Sequence, residues 1–206
     1  TTYVTAPVAA GFAGAIKAAS DFNENVNKVE VAFGKSKSAV MNWAKTATTE
    51  FGLSKNAALE AAALFGDMGT SMGLSKSAAA DMSTSLAGLA GDLASFKNIS
   101  VDEAMTALKG VFTGETESLK NLGVVMTETN LQKFAADQGL VYNSMSEAEK
   151  VTLRYQYVLE KTKNAQGDYA NTNDQTANAL RTFQGTVSIN HETVGANRTK
   201  FRCRIV

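Results

Sequence analysis

Proline, cysteine, histidine and tryptophan each occur once in this 206-residue chain. The single proline, Pro7, leaves nearly all of the sequence open to continuous helix, because no other residue lacks the backbone N–H or clashes with the preceding turn. A lone cysteine, Cys203, excludes an internal disulfide. Aromatic residues are only 8% of the chain, and much of the 44% hydrophobic content is alanine, which buries little area. Such a composition suits thin helices packed closely better than a thick globular core. No charge sign dominates, since 20 basic side chains face 20 acidic ones. That balance argues against binding nucleic acid by charge neutralisation. Long apolar runs are missing too. The most apolar opening stretch, Val8 to Ile16, falls far short of the roughly 20 residues that span a bilayer. The opening residues also lack the order of charged region, apolar core and cleavage site found in a secretory leader.

What is present is helical patterning. Ser100 with Glu103, and Ser146 with Glu149, have the spacing of a capping box, in which hydroxyl and carboxylate each satisfy an orphan backbone N–H. Ser36, Ser54, Ser75 and Thr127 also precede helical runs and fit N-cap positions. Gly34, Gly52, Gly73, Gly110, Gly114, Gly123, Gly139 and Gly167 fall where helices stop, since glycine enters the left-handed region without steric cost. Between these signals the sequence predicts helices over 8–33, 36–51, 54–72, 75–97, 100–112, 115–122, 127–138, 146–165 and 170–187. Gly123 to Met126 is the best strand candidate, and it is short. The fold class expected is all-α: several short-to-medium helices in hairpins joined at glycines, in an elongated or oligomeric helical assembly.

Apolar residues recur every three or four positions. Met82, Leu86, Leu89, Leu93 and Phe96 form one stripe; Val101, Met105, Leu108 and Phe112 form a second. Such spacing places side chains on one helix face. We expect both stripes to act as packing and self-association seams, with Ser83, Gly91 and Ser95 on the opposite, polar face. Val151, Tyr155 and Val158 begin a third. A local echo, Gly52-Leu53-Ser54-Lys55 and Gly73-Leu74-Ser75-Lys76, repeats one turn-and-cap signal without making a solenoid.

Groups that carry chemistry are scarce. His191 and Cys203 both lie in a basic C-terminal stretch with Arg198, Lys200, Arg202 and Arg204, and together do not supply the four ligands of a zinc site. No phosphate-binding loop, dinucleotide fingerprint, nucleophile elbow or zinc-protease helix motif occurs. Glu115 with Glu117, and Glu147 with Glu149, are close acidic pairs, but both read as first-turn residues favoured by the helix dipole. Met68, Met72, Met82 and Met105 read as core filler, and Trp43 as a packing anchor. We expect no catalytic, cofactor-binding or metal-binding residues, and no small-molecule substrate.

One stretch carries a resemblance. Residues 80 to 140 read ADMSTSLAGLAGDLASFKNISVDEAMTALKGVFTGETESLKNLGVVMTETNLQKFAADQGL, and residues 145 to 174 read MSEAEKVTLRYQYVLEKTKNAQGDYANTND. The order of an Ala/Leu/Met helix, a DEA helix, a Gly-Glu-Thr-Glu turn, a Leu-Gly-Val segment and an EAEK…RY helix resembles the core region of phage tail tape measure proteins of siphophages and prophages. Upstream, Ala19 to Glu24 followed by Lys28 and Val29 resembles the approach to that region. Ser118 stands where family members often carry proline. The resemblance implies three parts: a helical lead-in (1–18), a tape-measure-like core (19–187) and an atypical basic tail (188–206). It implies a structural role in the virion, inside the tail tube, after assembly in the host cytoplasm. Such proteins set tube length and leave ahead of the DNA. The implied partners are further copies of the chain, tail tube, tail tip and assembly chaperone proteins. DNA is met only indirectly, and the host membrane through other parts of a full protein. The competing reading is a membrane-active helical protein of a phage-derived bacteriocin; a fused wall hydrolase would need a catalytic constellation. If the acidic pair is structural, purified protein will not cleave peptidoglycan. Cleavage that disappears in the Glu115→Gln/Glu117→Gln double variant would contradict this.

Overall fold

A computed structural model describes the backbone of residues 2–172 and 178, with side chains from residue 17 onward. All regular structure among the described residues is helical, in agreement with the all-α expectation. Ten α-helices follow in order: α1 (Thr2–Phe33), α2 (Lys37–Phe51), α3 (Lys55–Ser71), α4 (Lys76–Lys97), α5 (Val101–Leu108), α6 (Gly110–Thr113), α7 (Glu117–Asn121), α8 (Glu128–Asp137), α9 (Glu147–Lys161) and α10 (Asp168–Asn171). Short 3-10 turns occupy Gly34–Ser36 and Tyr142–Ser144.

Local chemistry sets the boundaries. Ser54, Ser75, Ser100 and Thr127 each accept a hydrogen bond from the backbone N–H three residues on. Ser146 and Glu149 form the complete reciprocal box. The Ser146 hydroxyl and backbone N–H both donate to Glu149 and hold its carboxyl below the usual range. Ser100 and Glu103 make only half of the expected box, and Ser36 caps nothing with its side chain. Seven of the eight glycines named above have positive φ. Gly110 does not: it begins α6, and a Cβ there would lie 2.1 Å from the carbonyl oxygen of Glu115. Its smallness allows close approach, and the expected 100–112 helix divides at Lys109 into α5 and α6. The end of α4 is closed by Asn98, left-handed at φ 53°, which the sequence reading did not single out.

Gly123 to Met126 forms no strand. It is an extended connection that buries Val124 and Met126 and exposes Val125. The Val125 carbonyl accepts from the Tyr157 hydroxyl and from Asn130 Nδ2, each at 2.9 Å, so side chains replace a neighbouring strand. The expected 146–165 helix stops at Lys161, and turns carry the chain to α10. Most of the expected 170–187 helix and the tail 188–206, with His191, Arg198, Lys200, Arg202, Cys203 and Arg204, lie outside the described residues.

Two hydrophobic cores meet along α3 and α4. One gathers Val29, Phe33, Val40 and Leu59 from α1, α2 and α3, and Leu53 from the connection between α2 and α3, with the start of α4. The other gathers Phe65, Leu86, Leu93, Leu108, Phe112, Leu119, Met126, Val151 and Val158. Trp43, Leu74 and Val101 pack against both. Met82, Leu86, Leu89, Leu93, Leu108 and Phe112 are buried, whereas Val101 and Met105 are half-buried. Phe96 corrects the expected seam: 47% exposed, it lies past the point where α4 is covered.

The polar-face expectation for α4 is corrected as well. Every residue from Leu86 to Ala94 is buried, and so is Ser83, whose hydroxyl donates to the Ala79 carbonyl. The helix therefore has no solvent face over that stretch. Gly88 and Gly91 allow this, because Phe51 lies directly on them; a Cβ on Gly91 would come 2.2 Å from the Phe51 carbonyl oxygen. The buried seam residues are thus covered within a single chain.

Leu89→Ala should cost about 2–5 kcal/mol, because it empties a filled position in a helix that cannot shift to close the gap. Gly91→Ala should cost about 1–3 kcal/mol through the backbone collision. Ser77→Ala, at an exposed position of α4, should stay within about 0.5 kcal/mol. Urea midpoints of the three variants check this, and equal small shifts would show that α4 is not the enclosed helix.

Candidate functional site

The polar groups taken out of water mark where the molecule does more than fill space. Asp92 is the most unusual of them. It sits in the wholly buried part of α4 and is 4% exposed. Its two carboxylate oxygens accept backbone N–H groups from Gly167 (2.8 Å) and Tyr169 (3.2 Å). These are orphan donors at the start of α10, where a negative charge is favoured. Gly167 supplies the left-handed turn, at φ 78°, that aims them inward. Burial is the largest influence on Asp92 and pushes its carboxyl above the usual range. The two backbone donors oppose this, and Asp168 adds to it.

Around Asp92 the bonding continues. Ser95 donates to Asp168 at 2.5 Å, and Asn178 Nδ2 donates to the Ser95 and Thr172 hydroxyls at 2.8 Å each. The Tyr169 hydroxyl donates to the Asn178 carbonyl, and its ring is fully buried. That ring lies on Gly52, where a Cβ would come 2.5 Å from it. One glycine thus closes α2 and also makes the slot for an aromatic ring contributed more than a hundred residues later.

A second buried ionic group lies on α9. Arg154, 8% exposed, donates through Nη1 to the carbonyls of Phe112 (3.1 Å) and Val111 (3.4 Å). It caps the carbonyl end of α6, where cations are favoured. Glu147 is its nearest carboxylate, at 3.9 Å. Sequence reasoning missed Asp92 and Arg154. The available signal was a charged residue on a face otherwise made of Leu, Val and Ala.

Three of the four carboxylates in the acidic pairs have partners outside their own pair. Glu117 is in the first turn of α7 and pairs with Lys120 at 2.7 Å, while Glu115 lies in the preceding turn with its N–H on the Thr113 hydroxyl. Glu147 pairs with Lys150, and Glu149 is occupied by Ser146. Met68 and Met72 pack half-buried against the second core, as filler. Trp43 packs on Phe51 with ring centroids 6.2 Å apart. Both rings line an open groove with Leu89, Asp92, Leu159 and Gln166. A second shallow groove runs between Leu74, Leu140, Met145 and Leu153. No group of three or more potential metal ligands occurs among the described residues, and no helix there is long and apolar enough to cross a membrane. No buried side-chain polar atom among them lacks a hydrogen-bond partner.

Comparison with protein-family models, curated proteins and solved structures finds no match to this chain.

Asp92→Ala should destabilise the fold by about 1–3 kcal/mol, since it strands backbone donors that α4 keeps from water. The sign of the pH effect follows from the raised carboxyl. The native state holds the Asp92 proton more tightly than the unfolded chain, whose aspartates titrate near about 3.9. Stability from this group is therefore greatest at low pH and falls as pH rises from about 4 through the raised native value. Against Asp92→Asn, which has no proton to lose, the wild-type chain should gain relative stability on acidification from neutral pH. Urea titrations of both proteins at several pH values test it; a difference independent of pH would contradict the assignment.

Proposed function

We propose that the chain is a structural segment of a phage tail tape measure protein. The observation that carries this reading is the ordered series of motifs from residue 80 to residue 174, which resembles that family's core region. The helical fold agrees with it in kind, since an α-helix is a ruler with a fixed rise of about 1.5 Å per residue. As one straight helix the 206 residues would extend about 300 Å. Helices α1 to α9 instead fold back on one another around α4, so this region serves as a compact node, and the measuring length belongs to other parts of a longer protein. In this reading the node works in the virion, in contact with tail tube and tail tip proteins and, during assembly, with a chaperone. Contacts with further copies of itself fall outside the buried seam. Exposed apolar residues such as Val31, Leu64 and Phe96 remain for that purpose.

Tails purified from the strain that encodes the chain should contain peptides from residues 37–161, at a small fraction of the abundance of the tube subunit. Mass spectrometry of gradient-purified particles measures this. Intact tails that lack these peptides, with the chain recovered only from the soluble lysate, would overturn the proposal.

A further inference from the structure

We infer that Gly167–Thr172 is a releasable strap, able to leave the α2–α4 surface while the helical block beneath stays folded. The inference does not depend on the phage reading. It rests on how differently the two sides of the contact are held. On one side, α4 is enclosed by both cores from Leu86 to Ala94, and α2 contributes Val40, Ala44 and Ala47 to the first. On the other side, α10 has four residues, Asp168–Asn171, too few to persist alone. Tyr169 is its only buried residue.

Besides the Tyr169 ring, polar contacts fasten the strap. Asp92 holds the Gly167 and Tyr169 N–H groups, Ser95 holds Asp168, and Asn178 ties Ser95 to Thr172. Such bonds are largely replaced by bonds to water when a segment detaches, so their net contribution is modest. Opening withdraws one ring from the Gly52 slot and wets Asp92, which burial disfavours as a charged group. None of the large buried residues of the second core, such as Phe65, Leu86 or Phe112, belongs to the strap. Segments with few buried apolar side chains open at a lower free energy than the core they lie on. Gly167 is the upstream pivot, being already left-handed and adjacent to the turns after α9. Opened, the strap empties the Gly52 slot and exposes Asp92 and Ser95.

Hydrogen exchange on the full chain, read by mass spectrometry, tests this. In the wild-type protein, amides of residues 167–172 should exchange at least on the order of tenfold faster than those of 86–94, in a way insensitive to low denaturant. Asp92→Ala should speed exchange of 167–172 by a further factor on the order of ten, while 86–94 remain the better protected of the two. Should Asp92→Ala fail to fold, Ser95→Ala serves instead, since it removes the Asp168, Thr172 and Asn178 contacts and leaves the Asp92 bonds in place; it should accelerate 168–172, which stay less protected than 86–94. Equal protection of the strap and α4 in the wild-type protein would overturn the proposal. So would a variant in which the strap and α4 exchange at the same rate.

Discussion

Helix α4 has no face left for solvent over the stretch from Leu86 to Ala94, and the rest of the molecule depends on keeping it thin enough to be surrounded. Interiors are packed to near-crystalline density, so a helix enclosed on every side has no room for large side chains in all directions. Alanine, glycine and serine supply the thin directions, and large rings from neighbouring helices fill the space they leave. Phe51 lies on Gly88 and Gly91, Phe33 on Gly66 and Tyr169 on Gly52. This pairing of a ring with a bare backbone lets an alanine-rich chain, poor in aromatics, still close two cores. It also explains why single methyl groups at these glycines would be costly, although glycine in a helix is otherwise a weakness.

The buried polar groups follow a related rule. Asp92 and Arg154 lie in the interior, yet their main partners are backbone groups at helix ends rather than each other. Each meets the end of a short helix that its own dipole would otherwise leave unsatisfied: the amide end of α10 for the carboxylate, the carbonyl end of α6 for the guanidinium. Four-residue helices persist here because a longer helix presents the missing capping charge to them.

Local structure was legible in the sequence because its causes are local. A serine three residues before an amide, or a glycine that can take positive φ, acts within one turn, and most predicted boundaries agree within a residue or two. Gly110 misled because a glycine needed for closeness looks the same in sequence as one needed for its dihedral angle. Asn98 was overlooked because asparagine performs the glycine role less often. The seam from Met82 to Leu93 was legible through its spacing, but Ser83 and Phe96 were not. Their burial depends on which helices cover α4 and where that cover ends, and a single-helix period contains nothing about either. The partners of Asp92 and Arg154 were illegible for the same reason, since they are 75 and 42 residues away.

That separation has a consequence for the order of folding. The largest contacts of the early block join helices close in sequence, such as α3 with α4 and α4 with α5, and contacts of this kind form quickly because little chain entropy is lost in closing short loops. The bond from Gly167 to Asp92 instead closes a 75-residue loop. During synthesis, α1 to α5 can collapse while later helices are still inside the ribosome, with the α2–α4 groove still uncovered. Tyr169 emerges after every helix it packs on, and its arrival on Gly52 comes late in the closing of the block.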